Sequence, residues 1–225
     1  AFGNVPQSYT GKEPSTRRSI RNNYDPYLIV FNRLEHYVAM GKVPDKAEII
    51  IQGGTFTFFP RAYQEYFVKY ALKAMNDFSK LFFYEDGNLD ILKFKMFFEL
   101  PRVISEEENR TKNIQQKLLH IKHLDLNDLE IKKNINASGE IVNNNADEIT
   151  VSEGNNKLNV IDSRIDANVL AIRKVQDKLK NENSPNISLK QVQKENETSF
   201  IRCVGLTIET KSDFGKLYHG NLMLE

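Results

Sequence analysis

The clearest apolar pattern in the chain is a short run of isoleucines between a lysine and two glycines. Ile49 to Ile51 are consecutive β-branched residues, Lys46 precedes them, and Gly53 and Gly54 follow. This pattern predicts a buried parallel strand that ends in a tight turn, because strands covered on both faces are continuously apolar. Glycine allows positive φ and a close backbone approach to a ligand. We therefore expect a functional site at this turn; the alternative is a purely structural strand-to-helix turn, which a lone glycine pair also fits.

Two amphipathic helices are predicted on either side of this strand. The first begins with Asp25 as N-cap and Pro26 in the first turn, and it runs to about Met40, where Gly41 closes it. The second covers residues 61–78. Their apolar stripes are Leu28, Phe31, Leu34 and Val38 in the first helix, and Tyr63, Phe67, Tyr70, Ala71, Ala74 and Phe78 in the second.

A second strand is predicted near the end of the chain, from Arg202 to Glu209, with Thr210 and Lys211 directly after it. Strand, helix and strand in this order are typical of a parallel α/β sheet with right-handed crossovers. In such sheets, ligands bind at the carboxyl ends of the strands. The carboxylate of Glu209 and the ammonium of Lys211 are therefore candidate ligand contacts. The alternative is an ion pair in a loop.

Between these parts, from about Lys80, the chain passes through an aromatic-rich patch into a long polar segment. Ser105 and Glu108 have the spacing of a capping box, which predicts a helix over about 106–122. The later predictions are a loose hairpin or disorder at 133–160, a helix at 167–179 and a polar helix at 188–197.

The first 23 residues show no period of 2 or 3.6, and we predict a loop that ends in a basic turn. Arg17, Arg18 and Arg21 are clustered there. Arginines can bind the phosphates of a nucleic acid through charge and a bidentate donor fork. The alternative is a basic segment that contacts only solvent.

Composition adds few restrictions. Lys and Arg number 31 against 30 Asp and Glu in 225 residues, so the charge neither demands nor excludes nucleic acid. Cys203 is the only cysteine, which excludes an intrachain disulfide and a cysteine metal cluster built from this chain; we expect it to be buried and inert. His120 and His123 lie three apart without an obvious third ligand, so no metal site is predicted. No apolar run is long enough for a membrane span.

Three stretches together carry a family resemblance. They are PQSYTGKEPSTRRSIRNNYDPY at 6–27, VPDKAEIIIQGGTFTFFPRAYQEYFV at 43–68 and RCVGLTIETKSDF at 202–214. Their order resembles the radical S-adenosylmethionine half of the catalytic subunit of Elongator, the tRNA carboxymethyluridine synthase family, and its archaeal branch in particular. The resemblance covers roughly residues 4–122 and 188–225.

The resemblance implies an α/β fold: a partial (βα) TIM-like radical S-adenosylmethionine barrel with a long polar, partly helical insertion. The implied parts are the first section of the barrel at 1–100, the insertion at 101–187, partly disordered, and the continuation of the barrel at 188–225. The implied setting is the cytoplasm, with tRNA as partner, no membrane, and assembly as a homo-oligomer or with other subunits.

The implied reaction uses a 4Fe-4S cluster to cleave S-adenosylmethionine to a deoxyadenosyl radical. That radical takes hydrogen from the acetyl methyl group of acetyl-CoA, the new carbon radical adds to C5 of the wobble uridine, and thioester hydrolysis leaves 5-carboxymethyluridine. The cofactors supply this chemistry, while the protein binds, orients and excludes water.

Site residues follow from the matched motifs. Gly53, Gly54 and Thr55 match the glycine motif that meets S-adenosylmethionine, and Glu209 and Lys211 match a later strand-end motif for the same cofactor. The family usually has arginine and then proline where this chain has Lys211 and Ser212, so the bidentate fork is lost. Lys46 matches a lysine associated with acetyl-CoA; the alternative is a structural salt bridge, because Lys46 lies at the amino end of its strand. Arg17, Arg18 and Arg21 are the candidate tRNA contacts.

The cluster is the main departure from the family. Three thiolates hold such a cluster, the family has them just before the segment that matches Gln7, and this chain has Cys203 alone. We therefore expect an enzyme fragment, inactive by itself, with its cluster ligands outside this chain. The alternative is a tRNA-binding or complex-assembly module without catalysis.

Overall fold

The computed structural model describes residues 9–53, 55–101, 105, 107–128, 132, 135 and 187–224. These residues form seven helices, two strands and two 3-10 turns. In chain order they are α1 Pro14–Arg21, α2 Pro26–Ala39, β1 Lys46–Ile51, a 3-10 turn Phe56–Phe58, α3 Arg61–Phe82, α4 Ile91–Phe97, α5 Glu107–Lys122, α6 Leu189–Asn196, β2 Arg202–Ile208, a 3-10 turn Ser212–Phe214 and α7 Leu217–Leu224.

The two predicted strands are confirmed, and they pair in parallel as expected. The prediction that they are buried is wrong, because one face of the sheet is open: Ile50 in β1 is 51% exposed and Val204 in β2 is 64% exposed. Lys46 faces Arg202 at one end and Ile51 faces Ile208 at the other, with one irregularity after Ala47. This small parallel sheet with its helices is an α/β arrangement. A closed barrel is not seen among the described residues, whose sheet has these two strands.

The two faces of the sheet differ. Ala47, Ile49 and Cys203 pack against the apolar core on the helix side. On the other face, Glu48 accepts a hydrogen bond from the Thr207 hydroxyl at 3.1 Å, and Val204 is 64% exposed. The helix side of the sheet is therefore part of the core, while the opposite face is open and partly polar.

Helix α2 begins as its sequence predicts. The Asp25 carboxylate accepts hydrogen bonds from the amides of Tyr27 and Leu28, and Pro26 occupies the first turn. Gly41 has φ of +77° just after the helix, a conformation that side chains other than glycine rarely adopt. The predicted start and end of this helix are confirmed.

The core forms where α2 and α3 pack together with α4 and α5. Helix α3 extends four residues beyond the predicted 61–78, to Phe82. The predicted aromatic patch supplies much of the interior: Phe82, Phe94, Phe97 and Phe98 are at most 1% exposed, as is Phe78 from the predicted stripe of α3. Ile114, Leu118 and Ile121 of α5 complete the same cluster.

One prediction at the amino end is wrong. Residues 14–21 form helix α1 and not a loop, with Pro14 in the first turn after Glu13. This helix buries none of its residues, so it needs no apolar stripe and shows none in the sequence. A period-based prediction therefore misses it.

The long polar segment is only partly described. Helix α5 confirms the helix predicted over about 106–122. Apart from Ile135, the predicted hairpin or disorder at 133–160 lies outside the described residues, as does the helix at 167–179. The segment boundaries at 101 and 187 stay predictions. The polar helix after Ser188 is confirmed as α6, with a complete capping box between Ser188 and Gln191.

The end of α6 fixes the start of β2 through one buried amide. The Asn196 Nδ2 group donates to Asn76 Oδ1 at 2.7 Å and to the Ile201 carbonyl at 3.1 Å. Its Oδ1 atom accepts from the Cys203 amide at 2.7 Å. Asn196 thereby joins α3, α6 and β2, and it sets where the second strand enters the sheet.

Candidate functional site

The carboxyl ends of β1 and β2 lie side by side, as the parallel pairing requires. The Glu209 amide donates to the Ile51 carbonyl at 3.0 Å, which extends the sheet by one hydrogen bond. The Gln52 Nε2 group donates to Glu209 Oε1 at 3.3 Å. The structure therefore brings the predicted strand-end carboxylate to the predicted glycine turn.

The turn itself uses glycine where glycine is needed. Gly53 has φ of +96°, which strains any residue with a side chain. A Cβ atom built there would lie 3.5 Å from Cδ2 of Tyr9, so a larger side chain would also meet that ring. Gly54, the second predicted residue of the motif, lies outside the described residues.

Thr55 follows the turn with a buried polar atom. The residue is 3% exposed, and its Oγ1 atom has no hydrogen-bond partner among the residues that the structure describes. A buried hydroxyl without a partner costs stability, so this atom is suited to receive a hydrogen bond from a ligand or to donate one. Thr55 is the predicted site residue with the clearest unused hydrogen-bonding capacity.

A second threonine ties the turn to the chain after β2. Thr57 Oγ1 donates to the Phe214 carbonyl at 2.9 Å and lies 2.7 Å from Thr210 Oγ1. Because the Thr57 hydroxyl has one proton, Thr210 is the donor of the second bond. The segments that follow the two strands are thus linked by side chains as well as by the sheet.

Residues 9–13, which we call the amino-terminal hook, reach the carboxyl ends of the two strands. The Glu13 carboxylate accepts from the amide and hydroxyl of Thr10 and from the amide of Gly11, at 2.9 to 3.0 Å. The Tyr9 hydroxyl donates to Glu209 Oε2 at 3.1 Å. Partial burial, followed by this hydrogen bond, raises the pKa of Tyr9, so its hydroxyl stays a donor at neutral pH.

The hook should open in acid. Hydrogen bonds, the one from the Thr10 amide first, lower the pKa of Glu13 from 4.5 to about 2. A depressed folded-state pKa adds stability that is fully present above pH 4.5 and is lost as the pH falls toward about 2. We expect the NMR shifts of the Thr10 and Gly11 amides to change across that window. In a Glu13→Gln variant this pH-dependent change should be absent, and a wild-type transition near pH 4.5 would contradict the assignment.

The two predicted lysines are not joined to this cluster. Lys211 precedes the 3-10 turn at Ser212–Phe214 and is half-buried, and no hydrogen bond or ion pair links its ammonium to the described part of the chain. Lys46 is exposed at the opposite end of β1. Five residue steps of about 3.3 Å separate it from Ile51, roughly 16 Å. A direct contact of Lys46 with a ligand at the glycine turn is thus not supported.

The three predicted arginines lie on α1 with different exposures. Arg17 and Arg21 are exposed, while Arg18 is half-buried and lines a groove of about 660 Å³ together with Arg33, Lys42 and Lys46. Burial is the main cause that lowers the pKa of Arg18, and the positive charge of Arg33 lowers it further. Glu48 and several apolar residues line the same groove, so its four basic side chains leave it with net positive charge, which favours an anion.

Part of this chain is similar to known proteins. The chain is 50% identical over 76 residues to "tRNA uridine(34) acetyltransferase" of Methanocaldococcus infernus, which is 34% of this chain and 14% of that protein. The protein of the same name in Methanocaldococcus jannaschii is 49% identical over 75 residues, 33% of this chain and 14% of the relative. "Elongator complex protein 3" of Homo sapiens is 46% identical over 63 residues, 28% of this chain and 12% of the relative.

The Elongator resemblance is confirmed over this stretch. The matches span only 14%, 14% and 12% of the lengths of these relatives. No family model matches the chain, and no solved structure is significantly similar to it.

The cluster that the Elongator resemblance implies does not fit the residues of this chain. Cys203, the single cysteine, lies in β2, where its Sγ donates to the Gly205 carbonyl at 3.2 Å. Burial raises the pKa of its thiol, which disfavours the thiolate that binds iron. Within the described ranges, no group of three or more His, Cys, Asp or Glu side chains lies together as a metal site, and His120 and His123 belong to no such group.

The sequence analysis did not identify several side chains that hold this site and the core together. Tyr9 and Gln52 hold the Glu209 carboxylate, and both belong to the quoted motifs, yet nothing in one sequence shows that they meet. Three buried ion pairs were also missed: Asp25 with Lys122, Asp77 with Lys73, and Glu35 with Arg110. Charged residues on otherwise apolar helix faces were the available signal.

In the described residues no helix has the length and apolar character that crossing a membrane requires.

Proposed function

We propose that this chain is part of an enzyme that modifies uridine 34 of tRNA. The observation that carries the proposal is the cluster of polar groups at the strand ends, where Tyr9 and Gln52 donate to Glu209. It occurs in a chain that is 50% identical over 76 residues to a tRNA uridine(34) acetyltransferase. The finer proposal is a radical S-adenosylmethionine enzyme that uses acetyl-CoA to form 5-carboxymethyluridine.

The strand-end residues fit S-adenosylmethionine in their chemistry. Glu209 offers carboxylate lone pairs beyond those used by Tyr9 and Gln52, and these suit an ammonium or a ribose hydroxyl. The Thr55 hydroxyl has no partner in the described structure, and Gly53 keeps the turn free of a side chain. When bound and reduced, this cofactor supplies a carbon radical that abstracts hydrogen. The protein groups here bind and orient it.

The remaining cofactors depend on parts beyond this site. The 4Fe-4S cluster takes its ligands from outside this chain, because Cys203 is a single, strand-bound thiol. We therefore propose no step through the cluster for this chain, and we expect no turnover from it alone. Acetyl-CoA at Lys46 stays a proposal based on the resemblance, at the exposed amino end of β1.

A second candidate function has its own support. Arg18, Arg33 and Lys42 line one groove on the α1 and α2 side, away from the strand ends. A tRNA-binding or complex-assembly module without catalysis would need only this surface.

Ligand binding separates the two candidates. We expect S-adenosylhomocysteine, a stable analogue of the cofactor, to bind the purified chain in a calorimetric titration. A Gly53→Val variant should bind at least about tenfold more weakly, because positive φ at a β-branched residue adds strain in the turn. The matched control is Gly220→Val, where the built Cβ meets nothing within 4 Å.

RNA binding is the second arm of this test. A tRNA anticodon stem-loop that binds while S-adenosylhomocysteine does not would favour the module. If the analogue bound wild type and Gly53→Val equally, the assignment of the turn would be wrong.

A further inference from the structure

Tyr9 is placed where it can act on the strand-end site although it belongs to neither strand. Its ring lies against Gly53, 3.5 Å from the position of a Cβ atom built there, and its hydroxyl donates to Glu209 Oε2 at 3.1 Å. One side chain thus contacts the turn after β1 and the carboxylate after β2. Tyr9 and Glu209 are 200 positions apart in the sequence, so their hydrogen bond depends on the fold of the chain.

The position of Tyr9 is itself supported. The Glu13 carboxylate folds residues 10–13 back on themselves through hydrogen bonds from Thr10 and Gly11. Glu13 is also the residue from which helix α1 starts. The hook is therefore anchored at Glu13, where α1 starts, and its other end, Tyr9, contacts the strand ends.

The Glu209 carboxylate is held from both sides. Gln52 donates to Oε1 and Tyr9 donates to Oε2. Glu209 is exposed. Accepting one bond at each oxygen restricts the rotation of its carboxylate and leaves lone pairs for further donors. A ligand that presents an ammonium or paired hydroxyls would meet it already oriented, which reduces the entropy lost on binding.

We infer that Tyr9 is a positioning residue of the strand-end site: its ring packs beside Gly53, and its hydroxyl orients Glu209 for a ligand with ammonium or hydroxyl donors. The identity of that ligand as S-adenosylmethionine rests on the proposed function. The role of Tyr9 in holding the strand ends together does not.

The first arm of the test needs no ligand. The Glu209 amide is hydrogen-bonded to the Ile51 carbonyl, so its hydrogen exchange reports on the strand ends. A Tyr9→Ala variant should speed exchange at Glu209 about tenfold, while the Arg202 amide, bonded to Asp45 at the other end of the sheet, stays unchanged. Tyr24→Ala, at a 57% exposed tyrosine, is the control. Unchanged exchange at Glu209 in Tyr9→Ala would overturn the inference.

The second arm uses S-adenosylhomocysteine. Tyr9→Phe keeps the ring and should weaken binding about threefold to tenfold, the effect of one lost hydrogen bond. In a Glu209→Gln background the same change should have a clearly smaller effect, because Tyr9 acts through the carboxylate. Equal binding by wild type and Tyr9→Phe would overturn the positioning role. Failure of wild type to bind, with exchange altered in Tyr9→Ala, would reject the proposed ligand and keep Tyr9 as the residue that orders the site.

Discussion

Replacing Lys122 by methionine is expected to lower the free energy of unfolding by about 3–5 kcal/mol, the range for breaking a buried ion pair. Lys122 is completely buried, and its ammonium donates to Asp25 Oδ2 and to the Tyr66 hydroxyl, both at 2.7 Å. The charge also lies over the Tyr70 ring, 4.4 Å from its centroid. Methionine has a similar length, so the main loss is the charge, which leaves the Asp25 carboxylate without its cation.

The effect should be large because Asp25 serves two structures. Its Oδ1 atom caps α2, and its Oδ2 atom receives the ammonium from the end of α5. The loss of Lys122 therefore leaves a buried carboxylate at the start of the helix that precedes β1.

Urea unfolding followed by circular dichroism measures this change as a shift in midpoint. Lys112→Met on the same helix is the matched control: its pair with Glu108 is exposed, with side-chain exposures of 63% and 84%. That control should change the free energy of unfolding by no more than about 0.5 kcal/mol. Equal losses of unfolding free energy in the two variants would show that the buried pair of Lys122 and Asp25 stabilises the fold no more than an exposed pair does.

The parts of the fold that the sequence predicted well have local causes. The start of α2 depends on Asp25 and Pro26, and the end depends on Gly41, all readable within a few residues. The polar helix predicted at 188–197 also has a local cause, the capping box that the structure shows between Ser188 and Gln191. The strand β1 was predictable because its apolar run is short, β-branched and followed by glycine.

The parts that failed have causes outside any local window. Helix α1 buries no residue, so no apolar period marks it. The hydrogen bond between Tyr9 and Glu209 and the pair of Asp25 with Lys122 join residues 200 and 97 positions apart. Of the predicted site, Gly53, Thr55 and Glu209 lie together because the parallel pairing of two strands puts their ends at one edge. Lys46 lies away from them by the same geometry.

The site is therefore only as ordered as the packing that holds the two strands. Both strands contact the core through one face, and Asn196 fixes the entry of β2 against α3. A substitution that loosens α3 should act on the strand ends without touching them. The aromatic interior of α3 and α4 is the place where such a substitution is most severe.

Phe82→Ala is expected to lower the free energy of unfolding by about 3–5 kcal/mol, because the variant loses buried area and leaves a cavity. Phe82 is completely buried, and its ring contacts four others. The centroid distances are 4.8 Å to Phe78, 5.8 Å to Phe94, 5.2 Å to Phe97 and 5.6 Å to Phe98. No single neighbour can fill the space without breaking its own ring contacts, so the cavity should persist.

The measurement is again the shift of the urea midpoint, with Leu92→Ala on α4 as control. Leu92 is 68% exposed, so its truncation should change the free energy of unfolding by no more than about 0.5 kcal/mol. An unchanged slope of free energy against urea in Phe82→Ala would locate the loss in the native core. A loss below about 1 kcal/mol would mean that the core repacks around the missing ring, and that α3 is a softer support for the strand ends than close packing predicts.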